Sequence, residues 1–292
     1  MAYRVLQPSL QSLFVEVIAN GHLIGSATAF VCRAPFGTDH LITNRHVVTG
    51  RNQETGVPLH CACAIPDTLR VYHNGPELGQ FVPVEVPLLE TDTPLWTEHP
   101  SLGDQADLVA LRIRSDERIR LYPYLVRHDA HLRIEPADRV SVVGFPFGER
   151  TAPSFAIWAT GFVASEPDIN HGGRPIFLID CRTRKGQSGS PVILGRSNHG
   201  NLTHDDGSTT GHLLPELLGV YSGRINAESD LGIVWKASAI ADLLLSATAK
   251  GALSPSFEGW PNSEQPNPPS GYAYHPPGEL GVLPSVPLQL KL

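Results

Sequence analysis

The sequence contains few cysteines, no long apolar segment and no excess of basic residues, and each absence argues against one class of protein. Four cysteines in 292 residues favour free thiols in a reducing compartment. No stretch approaches the roughly 20 consecutive apolar residues that cross a bilayer, so we expect no membrane partner. The net charge is −7, and Lys and Arg are scattered along the chain. Neither feature suits a nucleic-acid partner.

The N-terminal segment does not resemble a signal peptide, since it lacks a basic cap followed by an apolar run and a small-residue cleavage site. We therefore expect a cytoplasmic protein. Cys61 and Cys63 stand next to His60, a cluster that could bind a metal, but no second ligand pair accompanies it. Two thiols are the better interpretation, and we expect neither a metal nor a cofactor.

Glycine and proline are abundant, at 27 and 26 residues, whereas segments with helical periodicity are few. This combination favours an all-β chain of many short strands and turns. Apolar alternation predicts two sets of strands. The first set includes 13–19, 24–32, 39–43, 82–89 and 107–113, and the second includes 139–143, 155–164, 176–181, 191–194, 217–221 and 232–235. Asn20-Gly21 predicts a hairpin turn in the first set.

The predicted architecture is two antiparallel six-stranded β-barrels in one domain of residues 1–253. The first barrel covers about residues 12–118 and the second about residues 135–250. A C-terminal helix is predicted from Ala237 to about Lys250, where Gly251 would end it. Residues 254–292 form a proline-rich tail, which we expect to be disordered or loosely docked, or else to bind a protein partner.

The segment RKGQSGSP, residues 184–191, is the most informative part of the chain. A serine hydroxyl attacks poorly unless a base and an oxyanion site lie nearby. Gly186 lets the backbone turn so that the main-chain amides of Gly186 and Ser188 point to one place. The alternative is a turn between two strands that happens to be rich in glycine and serine.

Two further segments supply the remaining groups. In LITNRHVV, His46 follows an apolar strand, and its imidazole has the pKa range of a base at neutral pH. A histidine buried for structural reasons is the alternative. In ADLVAL, Asp107 begins an apolar strand and could orient that imidazole. Here the alternatives are a strand-capping Asp107 or a role for the nearby Asp104.

The order His46, Asp107, Ser188 decides between these interpretations. It is the order of the triad in chymotrypsin-like enzymes, and it differs from that of subtilisin and of the α/β-hydrolases. The segments TNRHVV, ADLVALRI and GQSGSPV resemble the three active-site segments of the trypsin-like serine peptidase superfamily. GSATAFV, VSVVGFPFG, GFVAS and GIVWKAS support the resemblance, which covers residues 12–250. The motifs are most similar to bacterial Deg-type and glutamyl-endopeptidase-like members.

The resemblance implies a chymotrypsin-like fold and a serine endopeptidase that acts on protein or peptide substrates. It implies that Ser188 attacks, that His46 transfers the proton and that Asp107 orients His46. The sequence departs from the trypsin pattern at Gln187, where trypsins carry an aspartate that pairs with a freed N-terminus. A peptide-binding or scaffold protein without catalysis is the alternative, although no member of the triad is missing.

The resemblance also implies a set of substrate-binding residues. Arg182 and Thr183 would line the pocket for the residue at the cleaved bond, and Tyr221, Ser222 and Gly223 would form the edge strand that pairs with the substrate. No acidic residue falls at the pocket floor, so cleavage after acidic or small uncharged residues is expected. From the resemblance we also expect regulated proteolysis inside bacterial cells, in stress or in phage defence.

Overall fold

The first half of the chain folds into one curled antiparallel sheet. The computed structural model describes residues 5–35, 37–114, 116–126, 134–151, 154–194, 202–203, 209–210, 216–226 and 228–253. Two short helices, α1 (Gln7–Gln11) and α2 (Arg45–Thr49), lie in this half. Its strands are β1 (Ser12–Ala19), β2 (His22–Arg33), β3 (Asp39–Thr43), β4 (Thr68–Asn74), β5 (Phe81–Pro87), β6 (Leu89–Glu90), β7 (Thr93–Pro94), β8 (Trp96–Glu98), β9 (Val109–Arg112) and β10 (Tyr124–Leu125).

The second half contains a closed six-stranded barrel. Its strands in chain order are β11 (Arg139–Gly144), β12 (Ile157–Val163), β13 (Ile176–Asp180), β14 (Pro191–Leu194), the short pair β15 (Leu202–Thr203) and β16 (Thr209–Thr210), β17 (Leu217–Arg224) and β18 (Leu231–Lys236). The barrel order is β11-β12-β13-β18-β17-β14, and β15 and β16 pair with each other outside it. Helix α3 (Ala237–Leu253) follows.

The predicted fold class is confirmed, but the first sheet is not the closed six-stranded barrel that the sequence suggested. Its order is β5-β4-β1-β2-β3-β9-β8, with β10 parallel to β2, so β5 and β8 remain as edges. Pro83 and Pro87 lie in β5. Proline cannot donate a ladder hydrogen bond, which explains why β5 has a neighbour on one side only.

The predicted hairpin at Asn20-Gly21 is present between β1 and β2. Both residues have positive φ, 49° and 76°, which is the geometry of a two-residue type I′ turn. Strand β4, in contrast, lies in an interval that the sequence suggested was rich in turns. Leu69, Val71 and His73 all face inward from it. Because the third of these inward-facing residues is a histidine, the sequence shows no clear apolar alternation here.

One hydrophobic core joins the two halves. Phe14, Phe30 and Ile42 from the first sheet pack in the same cluster as Phe145 and Trp235 from the barrel. Helix α3 adds the buried side chains of Ala239, Ile240, Leu243, Leu244 and Ala247 to that cluster. The helix extends through Gly251 to Leu253, beyond its predicted end. The halves therefore face each other with a shared interior.

Some predictions fall outside the described part of the chain. The proline-rich tail, residues 254–292, lies entirely outside it. The domain boundaries stay predictions, although β10 belongs to the first sheet and lies beyond residue 118. Among the described residues, no helix is long and apolar enough to cross a membrane.

Candidate active site

His46 lies in the one-turn helix α2, directly after β3. Strand β3 pairs with β9, and Thr43 stands opposite Val109. Because Asp107 comes two residues before Val109, this register brings Asp107 to the start of α2. The side-chain amide of Asn44 donates to the Asp107 carbonyl oxygen at 2.7 Å and closes the junction. Local strand pairing thus places two residues that are far apart in the sequence.

The carboxylate of Asp107 contacts both the main chain and the ring of His46. The main-chain N–H of His46 donates to Asp107 Oδ1 at 2.9 Å, and His46 Nδ1 lies 2.7 Å from Oδ2. The Ser222 hydroxyl donates to the same Oδ2 atom. With the ring donating through Nδ1–H, His46 Nε2 carries the lone pair and can accept a proton.

Asp107 is buried, with 2% of its surface exposed. Burial is the largest influence on its pKa and acts to raise it. The positive charge of His46 and the hydrogen bonds from His46 and Ser222 act in the opposite direction and together hold the pKa of Asp107 below its usual value. The carboxylate therefore stays ionised at neutral pH. The rival Asp104 is exposed, and its carbonyl oxygen accepts a hydrogen bond from Gln53.

Ser188 lies in a tight loop that needs glycine on both sides. Gly186 has φ of +93° and Gly189 has φ of +82°, values that L-residues avoid. Space is equally restrictive, because a Cβ atom on Gly186 would lie 2.3 Å from the Phe145 carbonyl oxygen. A Cβ atom on Gly189 would lie 2.1 Å from that of Thr28. The loop is therefore a fixed structure and not a generic glycine-rich turn.

The amides predicted to bind an oxyanion belong to Gly186 and Ser188, which both line the cleft. The Lys185 carbonyl oxygen accepts from the Phe147 N–H at 2.6 Å. In a trans peptide the N–H points opposite to the C=O, so the Gly186 N–H points away from Phe147. Among the described residues, neither the Gly186 N–H nor the Ser188 N–H has a main-chain acceptor. Both donors are thus available to a substrate oxygen.

A cavity of about 630 Å³ brings these groups together between the two halves, and His46, Asp107, Gly186 and Ser188 all line it. Within the described residues, the ring of His46 hydrogen-bonds to Asp107 and not to Ser188. Hydrogen bonds between catalytic groups are often long without substrate and shorten when it binds. The cavity therefore contains every group that serine-based acyl transfer requires.

Of the five predicted substrate-binding residues, two line the cavity and three do not. Ser222 and Gly223 line the cavity. Thr183 and Tyr221 are buried away from it, and their hydroxyl oxygens are 2.5 Å apart. Burial raises the pKa of Tyr221 to about 12, so its hydroxyl stays protonated. The Arg182 side chain is 84% exposed, with Nε 3.7 Å from Asp230, so its charge lies at the surface and not in the pocket.

Sequence reasoning missed two charged residues of the cavity. Arg174 precedes β13, and Glu54 lies in the segment that follows α2; both line the cavity. Arg174 Nη2 lies 3.4 Å from Glu54 Oε1, so this ion pair connects the two halves across the cleft. Neither residue stands in a recognisable motif. Lys185 and Arg224 also line the cavity, and both adjoin residues that the sequence did identify.

Gln187 explains how the nucleophile loop is held without the aspartate of trypsins. Its side chain is fully buried, and Oε1 accepts from the Arg184 main-chain N–H at 2.8 Å. The Gln187 N–H donates to the Arg184 carbonyl oxygen at 3.2 Å, and the Ser190 N–H donates to the Gln187 carbonyl oxygen at 3.0 Å. A neutral side chain inside the loop therefore supports the turn around Ser188.

An open β-sheet and a closed barrel, with an Asp–His pair facing a serine across the cleft, define the chymotrypsin-like class of peptidases. The family model described as a trypsin-like peptidase domain matches residues 27–199, more than half of the chain. The chain therefore belongs to the trypsin-like peptidase family, as the resemblance in its motifs predicted, and its enzyme class is serine endopeptidase.

Three solved structures are similar to the chain, and the first of them supports the fold. The serine endoprotease from Yersinia pestis has a TM-score of 0.50 and 13% identity, over 84% of this chain and 66% of that chain. The Rv3671c protease in an inactive form has a TM-score of 0.46 and 19% identity, over 82% of this chain and 89% of that chain. The active form of Rv3671c from M. tuberculosis has a TM-score of 0.44 and 18% identity, over 82% and 81%. A search of curated proteins gave no match.

Proposed function

We propose that the chain hydrolyses peptide bonds through an acyl-enzyme formed on Ser188, with His46 as the base and Asp107 as the residue that orients it. One observation carries the proposal. His46 is fixed by Asp107 at 2.7 Å on the wall of a cavity that Ser188 and Gly186 also line. The amides of Gly186 and Ser188, which have no main-chain acceptor among the described residues, supply the oxyanion site.

Each step in this proposal has a group that performs it. Ser188 Oγ attacks the carbonyl carbon while His46 Nε2 takes the hydroxyl proton, and Asp107 stabilises the imidazolium that forms. The negative oxygen of the tetrahedral intermediate accepts hydrogen bonds from the Gly186 and Ser188 amides. His46 then gives its proton to the leaving amine. Water releases the acyl group by the same steps, and Ser188 regains its proton.

The end of β17 provides an edge on which a substrate main chain can pair. Tyr221 exchanges hydrogen bonds with the nucleophile loop, to Ser190 and from Gly189, each at 2.9 Å. Beyond Tyr221 the strand pairs with β18 only, through Gly223 and Arg224. The other side of this segment faces the cavity. An extended peptide would therefore add to β17 as a strand, N-terminal to the cleaved bond.

An active-site-directed fluorophosphonate probe tests this assignment. The wild-type chain should be labelled at Ser188, and Ser188→Ala should lose both labelling and peptide hydrolysis. Ser190→Ala is the matched control, because Ser190 is fully buried and should not react. Labelling that persists in Ser188→Ala would overturn the assignment. A wild-type chain that binds peptides but is neither labelled nor able to cleave them would support the non-catalytic binding function instead.

We further propose that cleavage occurs after acidic or small uncharged residues. Arg182, which the sequence placed in the pocket, has its charge outside the cavity. Lys185, Arg174 and Arg224 line it instead, and within the described part of the chain Arg174 alone of these three has a carboxylate partner, Glu54. Placing a Lys or Arg side chain among these cations would be unfavourable.

Matched peptides that differ only at the cleaved residue test the preference. Cleavage after Glu or Ala should exceed cleavage after Lys by about tenfold or more in kcat/KM, which corresponds to the ~1.4 kcal/mol expected of one partly screened charge contact. Arg224→Glu should reduce cleavage after Glu, whereas Arg182→Glu should not, because Arg182 points to solvent. Dominant cleavage after Lys or Arg would contradict the proposal.

We also propose a cytoplasmic role in regulated bacterial proteolysis, in stress or phage defence, with the tail as a site for a protein partner. Support comes from the four cysteines, which are all free, as expected in a reducing compartment. Antibody detection in fractionated cells tests the location, and finding the chain only in the periplasm would contradict it. A pull-down with the full chain and with a chain ending after Leu253 tests the tail.

A further inference from the structure

Thr28 lies beneath the nucleophile loop, although it belongs to the other half of the molecule. It is a residue of β2 in the first sheet and is fully buried. The loop around Ser188 leads into β14 of the barrel. A side chain at this position therefore connects the scaffold that carries His46 and Asp107 to the loop that carries the nucleophile.

Four hydrogen bonds connect Thr28 to its surroundings. Its hydroxyl donates to the Gly186 carbonyl oxygen at 2.9 Å and accepts from the Phe145 N–H at 3.2 Å. Its N–H donates to the Ser188 carbonyl oxygen at 2.9 Å. Its own carbonyl oxygen accepts from the Thr43 hydroxyl at 2.9 Å. Every polar group of this buried residue is therefore paired.

The two contacts with the loop lie on either side of one peptide unit. The Gly186 carbonyl belongs to the peptide that precedes Gln187, and the Ser188 carbonyl belongs to the peptide that follows Ser188. Between them lies the peptide that carries the Ser188 N–H. Gly186 has the rotational freedom of glycine, so its orientation depends on contacts from outside the loop. Thr28 supplies such a contact through its hydroxyl.

We propose that Thr28 is a positioning residue for the oxyanion site. Its hydroxyl fixes the peptide between Gly186 and Gln187 so that the N–H groups of Gly186 and Ser188, on either side of that peptide, converge on the substrate oxygen. This inference rests on the proposed function of those two amides. Thr28 does not line the cavity, so it acts through the loop and not on the substrate. Its loss should weaken binding of the transition state much more than binding of the substrate.

Thr28→Val tests the proposal, because it keeps the shape of the side chain and removes the hydroxyl. We expect kcat for a small peptide substrate to fall by about 10- to 100-fold, with KM changed by less than about threefold, as for the loss of an interaction made in the transition state. Affinity for a peptide aldehyde, whose tetrahedral adduct places an oxygen in the oxyanion site, should fall in parallel with kcat/KM.

Thr43→Val is the matched control. Thr43 is also fully buried and donates to Thr28, but its hydroxyl contacts neither Gly186 nor Ser188. We expect its kcat to stay within about threefold of wild type, since no transition-state contact depends directly on it. An equal loss of kcat in Thr28→Val and Thr43→Val would mean that any lost buried hydroxyl has this effect, and it would overturn the proposal.

A second pair of variants keeps the test decisive if Thr28→Val does not fold. Thr28→Ser and Thr28→Ala differ by one oxygen atom, and only the serine should retain near-wild-type kcat and aldehyde affinity. Equal values in the two variants, or a loss confined to KM, would refute a positioning role. Failure of the proposed function looks different, because the wild-type chain itself would then not hydrolyse peptides.

Discussion

Asp107 is a buried carboxylate that keeps its charge. It accepts hydrogen bonds from the His46 amide, from the His46 ring and from the Ser222 hydroxyl. A buried carboxylate that lost these donors would be neutralised or would destabilise the fold. The same contacts fix the tautomer of His46, so the stability of this pair and its chemistry depend on one carboxylate.

Asp107→Asn should lower kcat by about a thousandfold or more, because the amide NH2 that replaces Oδ2 donates to Nδ1 and so favours the tautomer that carries its proton on Nε2. Asp104→Asn is the control, since Asp104 is exposed, and it should keep near-wild-type kcat. Steady-state hydrolysis of a peptide ester and a peptide amide measures both. A kcat for Asp107→Asn within tenfold of wild type would contradict the role given to Asp107.

At this scale, the sequence identified the residues whose neighbours in the chain carry information. His46, Asp107 and Ser188 each stand in a short segment of distinctive composition. The Ser222 hydroxyl was expected at the substrate edge, and its contact with Asp107 was not foreseen. Thr28 was missed as a contact of the nucleophile loop. Each contact joins a residue of the first half to a residue of the barrel. Residues so far apart in the chain leave no local pattern in the sequence from which the contact could be predicted.

Among the elements, helix α3 connects the two halves of the molecule. It packs against β8 and β9 of the first sheet and against β17 and β18 of the barrel. Its apolar side chains enter the core that joins the halves. Burial of several such side chains contributes about 1.5–3 kcal/mol each. The helix is therefore part of the folded unit and not an appendage at its end.

A chain that ends after Leu253 should unfold cooperatively and hydrolyse a small peptide at a rate within about twofold of the full chain, because it keeps the described core that joins the halves and the cavity with its catalytic groups. A chain that ends at Lys236, before α3, should not fold, since removing even one large buried side chain costs about 2–5 kcal/mol. Urea unfolding followed by tryptophan fluorescence distinguishes the two. Non-cooperative unfolding of the longer chain would show that the tail belongs to the fold.

For the whole molecule, buried histidines set the response to acid. Burial lowers the pKa of His73 to about 4, and the charge of Asp116 offsets this only in part. Burial likewise lowers the pKa of His40 and of His99. An unfolded histidine has a pKa of about 6.5. Between these values the unfolded chain binds protons that the folded chain excludes, so stability falls as the pH falls.

The free energy of unfolding should therefore decrease between pH 7.5 and pH 5, and His73 alone should account for about 2 kcal/mol of the decrease, at ~1.4 kcal/mol per pH unit below 6.5. His73→Leu should remove that part of the pH dependence. His22→Gln, at the exposed first position of β2, should leave it unchanged. Urea titrations at both pH values measure the difference. Equal pH dependence in wild type and His73→Leu would contradict the prediction.

Asp107 adds to the same trend at lower pH. Its folded pKa lies below its usual value, so its contribution to stability is complete above the unfolded pKa of about 3.9 and is lost as the pH falls through the folded value. The histidines and this carboxylate therefore destabilise the fold in the same direction. The histidines act first, because in the unfolded chain they begin to take up protons near pH 6.5, whereas in the folded chain they do not.

The sequence by itself determined the β-rich class, the hairpin at Asn20-Gly21 and most strands of the barrel, and it predicted the triad of His46, Asp107 and Ser188. These follow from signals that act over a few residues: alternation of apolar side chains, turn conformations that need glycine or asparagine, and short segments around a nucleophile, a base and a carboxylate. Strand β4 was missed, as were the short strands β8 and β10. In β4 an inward-facing His73 interrupts the apolar alternation on which such predictions depend.

Only the tertiary structure decided which residues meet across the cleft. It left the first sheet open, directed Arg182 to the surface and Thr183 towards Tyr221, placed Arg174 opposite Glu54 and set Thr28 under the nucleophile loop. Each of these contacts joins segments far apart in the chain. Their geometry depends on how the two halves pack on a common core, and that packing is a sum over many residues.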